Sequence, residues 1–385
     1  MSNQPRLLIL LIDALAHSYL DWMPYLRELG AGGRAYKVKP APGFRGVEPA
    51  LNGAWTLDDE VPFHFQRCDS PDRFPPLLSI GDKFLPSRLN RYWRFGISTL
   101  SGHPYPQLVP ASLLNRLALA TGPNRTPRII GEWESRGLSV WWFTRDSQWE
   151  NKKALTQHIY RNLYGPRMLK EAGNALESGR DVVYLEFSTI LDSVGHRFGP
   201  NSIEMETAAL RLDTSLKKWL EPIQAKFPKL SVVILSDHGM SEVAGHIDIE
   251  TLIGKAGFQN GKEYVGIWNS NFGQIWADGD ALGTVSGIVA ETEGVSVVSA
   301  EGRALWFNND LAYGDLLIGC DEGFLLHPNH FQGNLEVRGM HGYLSPESET
   351  SWALSICSGE GFTPLAADEV DMPDLFQVLS GWNKK

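Results

Sequence analysis

Six side chains in this sequence are of the types that hold transition metals: the carboxylates Asp13, Asp192 and Asp237 and the imidazoles His196, His238 and His341. Carboxylate oxygen and imidazole nitrogen make a borderline donor set, suited to zinc or manganese and poor for calcium. Six ligands exceed what one tetrahedral ion takes, so two neighbouring divalent ions are the natural solution, zinc first and manganese second. Asp192 and His196 are spaced to reach one ion from a turn after a strand, and Gly195 and Gly199 would let the backbone fold tightly there.

Three hydrophobic runs must position these groups. Ser231-Val-Val-Ile-Leu-Ser-Asp237-His238-Gly-Met240 is an apolar, β-branched run that stops at an acid, an imidazole and a glycine. That pattern predicts a buried strand delivering two ligands at its carboxyl end. Arg6-Leu-Leu-Ile-Leu-Leu-Ile-Asp13 repeats the logic, and Asp181-Val-Val-Tyr-Leu-Glu-Phe187 leads into the segment with Asp192 and His196. In open α/β sheets, ligands collect beyond the carboxyl ends of the strands.

Helical spacing fills the gaps between the runs. Residues 18–29 carry Tyr19, Leu20, Met23, Leu26 and Leu29 and stop at the Gly30–Gly33 cluster. A second pattern from Asn151 to Gly179 carries Leu155, Ile159, Leu163, Met168, Leu169 and Ala175, with a break at Gly165-Pro166, and a third runs from Ser202 to about Ala225. This alternation predicts an α/β fold with a doubly wound, mainly parallel sheet and helices on both faces. It is read as a single catalytic domain over 1–385 with two insertions, a cap-like one over 55–150 and an α+β one over 245–335.

Trp93, Trp133, Trp141 and Trp142 in the first insertion are expected in a small core in preference to a cover over the site, and Trp268-Asn-Ser-Asn271 in the second is open to either reading. His17 is expected to be solvated or capping and His327 and His330 to be loop histidines, while His246 follows the Asp-His motif closely enough to stand behind a ligand but is not assigned that role.

Composition narrows the partners. The net charge of -10 argues against a nucleic-acid polymer or an anionic membrane, both of which select basic surfaces. Cys68, Cys320 and Cys357 are widely spaced with no CxxC pair, so neither a disulfide framework nor a thiolate zinc site is expected. The apolar stretch from Leu7 to Ile12 is too short to span a membrane and lacks a cleavage site, so the chain is expected to be cytoplasmic.

In their order and context these residues resemble the alkaline phosphatase superfamily, in its branch of type I phosphodiesterases and nucleotide pyrophosphatases. The resemblance runs through Leu7–Ala14, Asp192–Pro200, Ser231–Met240 and Tyr313–Tyr343. It implies a two-metal centre on the sheet, one ion on Asp192, His196 and His341 and the other on Asp13, Asp237 and His238, acting on a small phosphorylated substrate. Two such cations stabilise the attacking and leaving oxygens of an in-line displacement at phosphorus.

One position departs from that pattern. The superfamily places a Thr, Ser or Cys nucleophile in the loop after the second strand, where this chain has Arg45, and no Ser, Thr or Cys occurs from Lys37 to Trp55. An arginine is not deprotonated near neutrality and cannot attack. Three expectations follow. Hydroxide on a metal attacks while Arg45 clamps the phosphoryl oxygens; or Glu48 completes a rearranged site; or the chain is a catalytically silent member that binds metal and a phosphorylated ligand or protein partner. A sulfatase is disfavoured because no Cys/Ser-x-Pro-x-Arg segment follows the first strand, and a zinc peptidase because no His-Glu-x-x-His occurs.

Overall fold

The computed structural model describes residues 4–57 apart from 44, then 63, 65–68, 77–85, 89–90, 92–94, 96–97, 109–110, 113, 116–120, 126–144, and 164–383 apart from 308 and 334. A seven-stranded sheet forms its centre, in the order Glu369–Asp371, Arg34–Lys39, Ala353–Ser358, Leu230–Leu235, Arg6–Ile12, Val182–Ser188, Val140–Phe143. Only Ala353–Ser358 runs antiparallel to its neighbours; the other pairings are parallel. This is the expected doubly wound α/β sheet.

The continuous apolar runs are explained by burial on both faces. In strand Arg6–Ile12, Leu8, Leu10 and Ile12 join one core with helices Pro24–Ala31, Tyr164–Glu177 and Ile203–Lys226. Leu7, Ile9 and Leu11 join the opposite core with helices Glu48–Asn52, Arg128–Ser135 and Leu375–Gly381. Strand Leu230–Leu235 divides in the same way, Val232 and Ile234 against Val233 and Leu235.

Local chemistry sets the helix ends. Ser202 caps Ile203–Lys226 by accepting from Met205 N at 3.1 Å, where a cap of this kind contributes about 1 kcal/mol. The helix expected over 18–29 is divided into a 3-10 turn at His17–Trp22 and an α-helix at Pro24–Ala31. Pro24 has no N–H to continue a helix through itself but is suited to a first turn. The carboxylate of buried Asp213 then accepts from Tyr25 N and Leu26 N, at 3.0 and 2.9 Å. Pro166 falls in the first turn of Tyr164–Glu177, and Leu155, Ile159 and Leu163 of the pattern expected before it lie outside the described residues.

Within 55–150, helix Arg128–Ser135 packs on the main sheet and Val140–Phe143 is its outer strand. Trp133 is fully buried there and donates Nε1 to Leu379 O at 3.2 Å. Within 245–335, four antiparallel strands form a second sheet in the order Tyr264–Asn269, Phe272–Ala277, Leu316–Cys320, Val295–Val297, covered by helix Gly279–Glu291. No helix among the described residues is long and apolar enough to cross a membrane.

Candidate metal centre

Parallel pairing brings the candidate ligands to one edge of the sheet. Strand Arg6–Ile12 lies between Leu230–Leu235 and Val182–Ser188 and runs parallel to both. Asp13 follows the first, Asp237 and His238 follow the second, and Asp192 and His196 follow the third. Asp192 and His196 sit on an α-helix, Ile190–Phe198, where a turn was expected. One helical turn apart, they share a face. Gly195 does not fold a turn but permits close packing: a Cβ there would lie 2.8 Å from Met240 Cε. His341 arrives by a different route, through Gly339–Met340, which pairs antiparallel with Ser241–Glu242 just beyond His238.

Among the described residues, two groups of potential ligand atoms result, each spanning no more than 4.8 Å: Asp192, His196 and His341, and Asp13, Asp192 and His238, with the expected ligand Asp237 in neither. Asp192 belongs to both. Its Oδ1 lies 3.2 Å from His196 Nε2 and 3.6 Å from His341 Nε2. His238 Nε2 lies 3.6 Å from Asp13 Oδ1 and 3.5 Å from Asp237 Oδ2. The His238 and His341 rings stack at 3.5 Å.

The tautomers are fixed from behind. His196 Nδ1 lies 2.8 Å from Gly339 O and His238 Nδ1 2.8 Å from Gly239 O. A carbonyl only accepts, so in the neutral ring each Nδ1 carries the proton and each Nε2 turns its lone pair toward the carboxylates. A lone pair facing an anion is repulsive unless a cation lies between them.

Protons satisfy this arrangement only in part. Burial opposes charge on His196, yet Asp192 and the Gly339 carbonyl raise it above its ordinary value; His238 is raised likewise by Asp237 and Asp13. Burial and the adjacent His238 drive His341 well below. Burial pushes the Asp192 carboxyl up, and the surrounding His196, His341 and His238 outweigh it and hold it below the usual carboxylate range. Asp192 Oδ1 is buried without a well-formed hydrogen bond. Asp13, Asp192 and three inward-facing imidazoles, with Asp237 Oδ2 close beside His238, fit divalent ions in donor type and in charge.

The backbone around the centre is tightly tied. Asp237 Oδ1 accepts from Ala14 N at 3.2 Å and His238 N at 3.1 Å, and Ser236 Oγ accepts from Leu15 N at 2.9 Å. These bonds hold Ala14 at φ 58, a left-handed conformation that costs a non-glycine residue about 1–2 kcal/mol. Gly43 N donates to Gly342 O at 2.8 Å, which sets the loop carrying Arg45 beside His341. Gly342 has φ +82, and a Cβ on it would lie 2.1 Å from Gly43 O.

Arg45 is buried and donates Nη1 to Trp306 O at 2.8 Å. Glu48 is exposed at the start of helix Glu48–Asn52 and belongs to neither group. His17, His246, His327 and His330 also lie outside both groups. His330 is a buried structural residue rather than an open loop histidine: its Nδ1 accepts from Trp268 N at 2.9 Å. Sequence reasoning passed over Ser236, although it adjoins Asp237. It left Asn271 undecided, and its Nδ2 donates to His341 O at 2.9 Å, a pairing across the chain that leaves no local pattern.

Comparisons with known proteins agree with this fold. A family model described as type I phosphodiesterase / nucleotide pyrophosphatase matches residues 119–344. Murine ectonucleotide pyrophosphatase / phosphodiesterase 5, an inactive variant in complex with AMP, is similar in structure with a TM-score of 0.62 at 12% identity, over 99% of this chain and 96% of that one. The human counterpart gives 0.63 at 14% identity, over 98% and 94%. Alkaline phosphatase PhoV of Synechococcus elongatus is 40% identical over 58 residues, which are 14% of this chain and 10% of that relative's length.

The cytoplasmic expectation is corrected by these findings, since three solved structures that match nearly the whole chain are ecto-enzymes by name. Cys320 and Cys357 are buried thiols, and a thiol sealed in a core is inert in either redox environment.

Proposed function

The chain belongs to the type I phosphodiesterase / nucleotide pyrophosphatase family, and we propose that it is a hydrolase of a phosphodiester, pyrophosphate or phosphonate bond in a small phosphorylated molecule, working with two divalent metal ions and with water as the nucleophile. Asp192, His196 and His341 would hold one ion and Asp13, Asp237 and His238 the other, with Asp192 placed to reach the second ion as well, zinc in preference to manganese. The observation that carries this reading is the pair of ligand groups joined through Asp192, with His196 and His238 turned inward by carbonyls behind them. When bound, two such ions offset phosphoryl charge and acidify water.

The protein's own groups do the positioning. Asp237 spends one oxygen on Ala14 N and His238 N, which leaves its other oxygen directed at the centre, 3.5 Å from His238 Nε2. The murine relative is inactive as a Thr-to-Ala variant. This chain has Arg45 in the loop after strand Arg34–Lys39 and no hydroxyl or thiol from Lys37 to Trp55. A guanidinium presents its N–H donors in a fork that fits phosphoryl oxygens, and Arg45 Nη1 is anchored on Trp306 O. Arg45 in this role orients the substrate for attack by water and forms no covalent intermediate.

A panel of aryl phosphomonoesters, phosphodiesters and phosphonates, run on the parent chain, Asp237→Asn and Arg45→Thr, tests this function. The parent is expected to turn over at least one class, and Asp237→Asn to lose about 100-fold or more, the scale of disrupting a metal's surroundings. No phosphate should become attached to the parent chain. Equal inactivity of parent and Asp237→Asn on every substrate, or a trapped phospho-protein, would overturn it.

A further inference from the structure

We propose that the second sheet holds His341 and His238 in place through two positioning residues, Asn271 and Glu322, neither of which reaches the ligand atoms themselves. The inference rests on the two-metal reading above. It gives the 245–335 segment a function beyond covering the site.

Asn271 lies at the tip of the hairpin formed by Tyr264–Asn269 and Phe272–Ala277. Hairpin tips normally lie at the surface, but Ser270 and Asn271 are fully buried. The tip is costly to keep there. Ser270 has φ 61, and Asn269 Oδ1, Ser270 Oγ and Asn271 Oδ1 are buried without hydrogen-bond partners. Each such oxygen costs about 1–3 kcal/mol. The tip is pinned nonetheless, by Leu326 N to Ser270 O and Cys320 N to Asn271 O, both at 2.8 Å. What it delivers is the bond from Asn271 Nδ2 to the main-chain oxygen of His341, at 2.9 Å. Unfavourable backbone and unsatisfied oxygens gathered around a bond to a ligand residue mark a tip shaped by that bond.

Glu322 follows strand Leu316–Cys320 of the same sheet. Its Oε1 accepts from Ser241 Oγ and from Ser348 Oγ, each at 2.5 Å, and its Oε2 accepts from Ser348 N at 2.9 Å and from Glu347 N. Ser241 comes three residues after His238 and pairs with Met340, the residue before His341. The loop that contains Ser348 lies behind His238: Gly239 N donates to Ser351 O at 3.0 Å and Met240 N to Thr350 O at 2.7 Å. One carboxylate with four donors therefore ties together the exit of the His238 strand, the entry to His341 and the loop supporting both. His238 and His341 are the two rings that stack at 3.5 Å, so a small shift in either segment moves both.

The test measures zinc affinity by competition with a chromophoric chelator, and melting temperature with chelator in excess, on the full chain. The variants are Asn271→Ala, Glu322→Gln and Glu322→Asp, with Asp213→Asn as a control that loosens the Tyr25 and Leu26 end of a helix in the main-sheet core. Positioning predicts that Asn271→Ala and Glu322→Gln weaken zinc about 10–100-fold, the cost of removing a partner outside the coordination sphere. Glu322→Asp should recover part of that loss, and Asp213→Asn should lower melting with zinc affinity unchanged. Should Glu322→Gln fail to fold, Asn271→Ala decides alone. Parent-like zinc affinity in Asn271→Ala and in folded Glu322→Gln overturns the inference while leaving the two-metal reading intact. A parent chain that takes up no zinc overturns that reading, and this one with it.

Discussion

Asp192→Asn removes one anionic oxygen from both ligand groups at once, because Asp192 is the residue they share. The substitution keeps size and shape, and Asp192 Oδ1 sits 3.2 Å from His196 Nε2 and 3.6 Å from His341 Nε2, so the loss is one of charge at an oxygen that is already in place. Altering a group outside a coordination sphere costs about 10–100-fold in affinity, or about 1.4–2.7 kcal/mol, which is a lower bound for a ligand itself. Counted for both ions, the loss is at least about 3–5 kcal/mol. Zinc titration against a competing chelator, followed by elemental analysis after dialysis, should show the stoichiometry falling from two ions to one or none. The stabilisation that zinc confers against heat should shrink in parallel, by about 2.7 kcal/mol for a 100-fold weaker ion at fixed excess. Two ions retained by Asp192→Asn at parent affinity would refute the shared-ligand arrangement.

Three further outcomes are expected. With a chiral phosphorothioate diester, direct attack by water should invert configuration at phosphorus, whereas a covalent phospho-protein would retain it. Gly342→Ala should destabilise the chain by about 2–5 kcal/mol, from left-handed strain plus a collision with Gly43 O, and should disturb hydrolysis through His341; unchanged stability and rate would show that the Arg45 loop is not seated on Gly342. Burial, helped by Arg94, pushes His330 down to about 3 from 6.5. Between those values the unfolded chain binds a proton that the folded chain excludes, so stability falls as pH falls, by about 1.4 kcal/mol per pH unit and about 2.7 kcal/mol by pH 4.5. Urea unfolding at several pH values should show that slope, and His330→Gln should flatten it; an unchanged slope would assign the acid sensitivity to other groups.

How much of the site was legible depended on the range of its interactions. Asp13, Asp237 and His238 could be read because each adjoins the end of a strand whose apolar run is continuous. Parallel pairing then aligned those ends without further instruction. Asp192 and His196 were legible as a spacing but not as a helix, since the strand before them extends to Ser188 and leaves a helix of only nine residues. Pro24 carried a signal that the helical spacing of its neighbours masked. Val140–Phe143 looked like part of an aromatic-rich insertion because an outer strand is half-buried and shows neither clean alternation nor full burial. Asn271 and Glu322 have no sequence signature, because their partners are main-chain groups and serines distant in the chain. Arg45 could be located in its loop by sequence, but its surroundings depend on Trp306, far along the chain.

The most direct test of the central claim is the metal content of the purified full chain, measured by elemental analysis after dialysis against metal-free buffer and again after exposure to zinc. Two transition-metal ions per chain are predicted, falling to one or none in Asp192→Asn. A parent chain that holds none, and takes up none when zinc is supplied, would contradict the account.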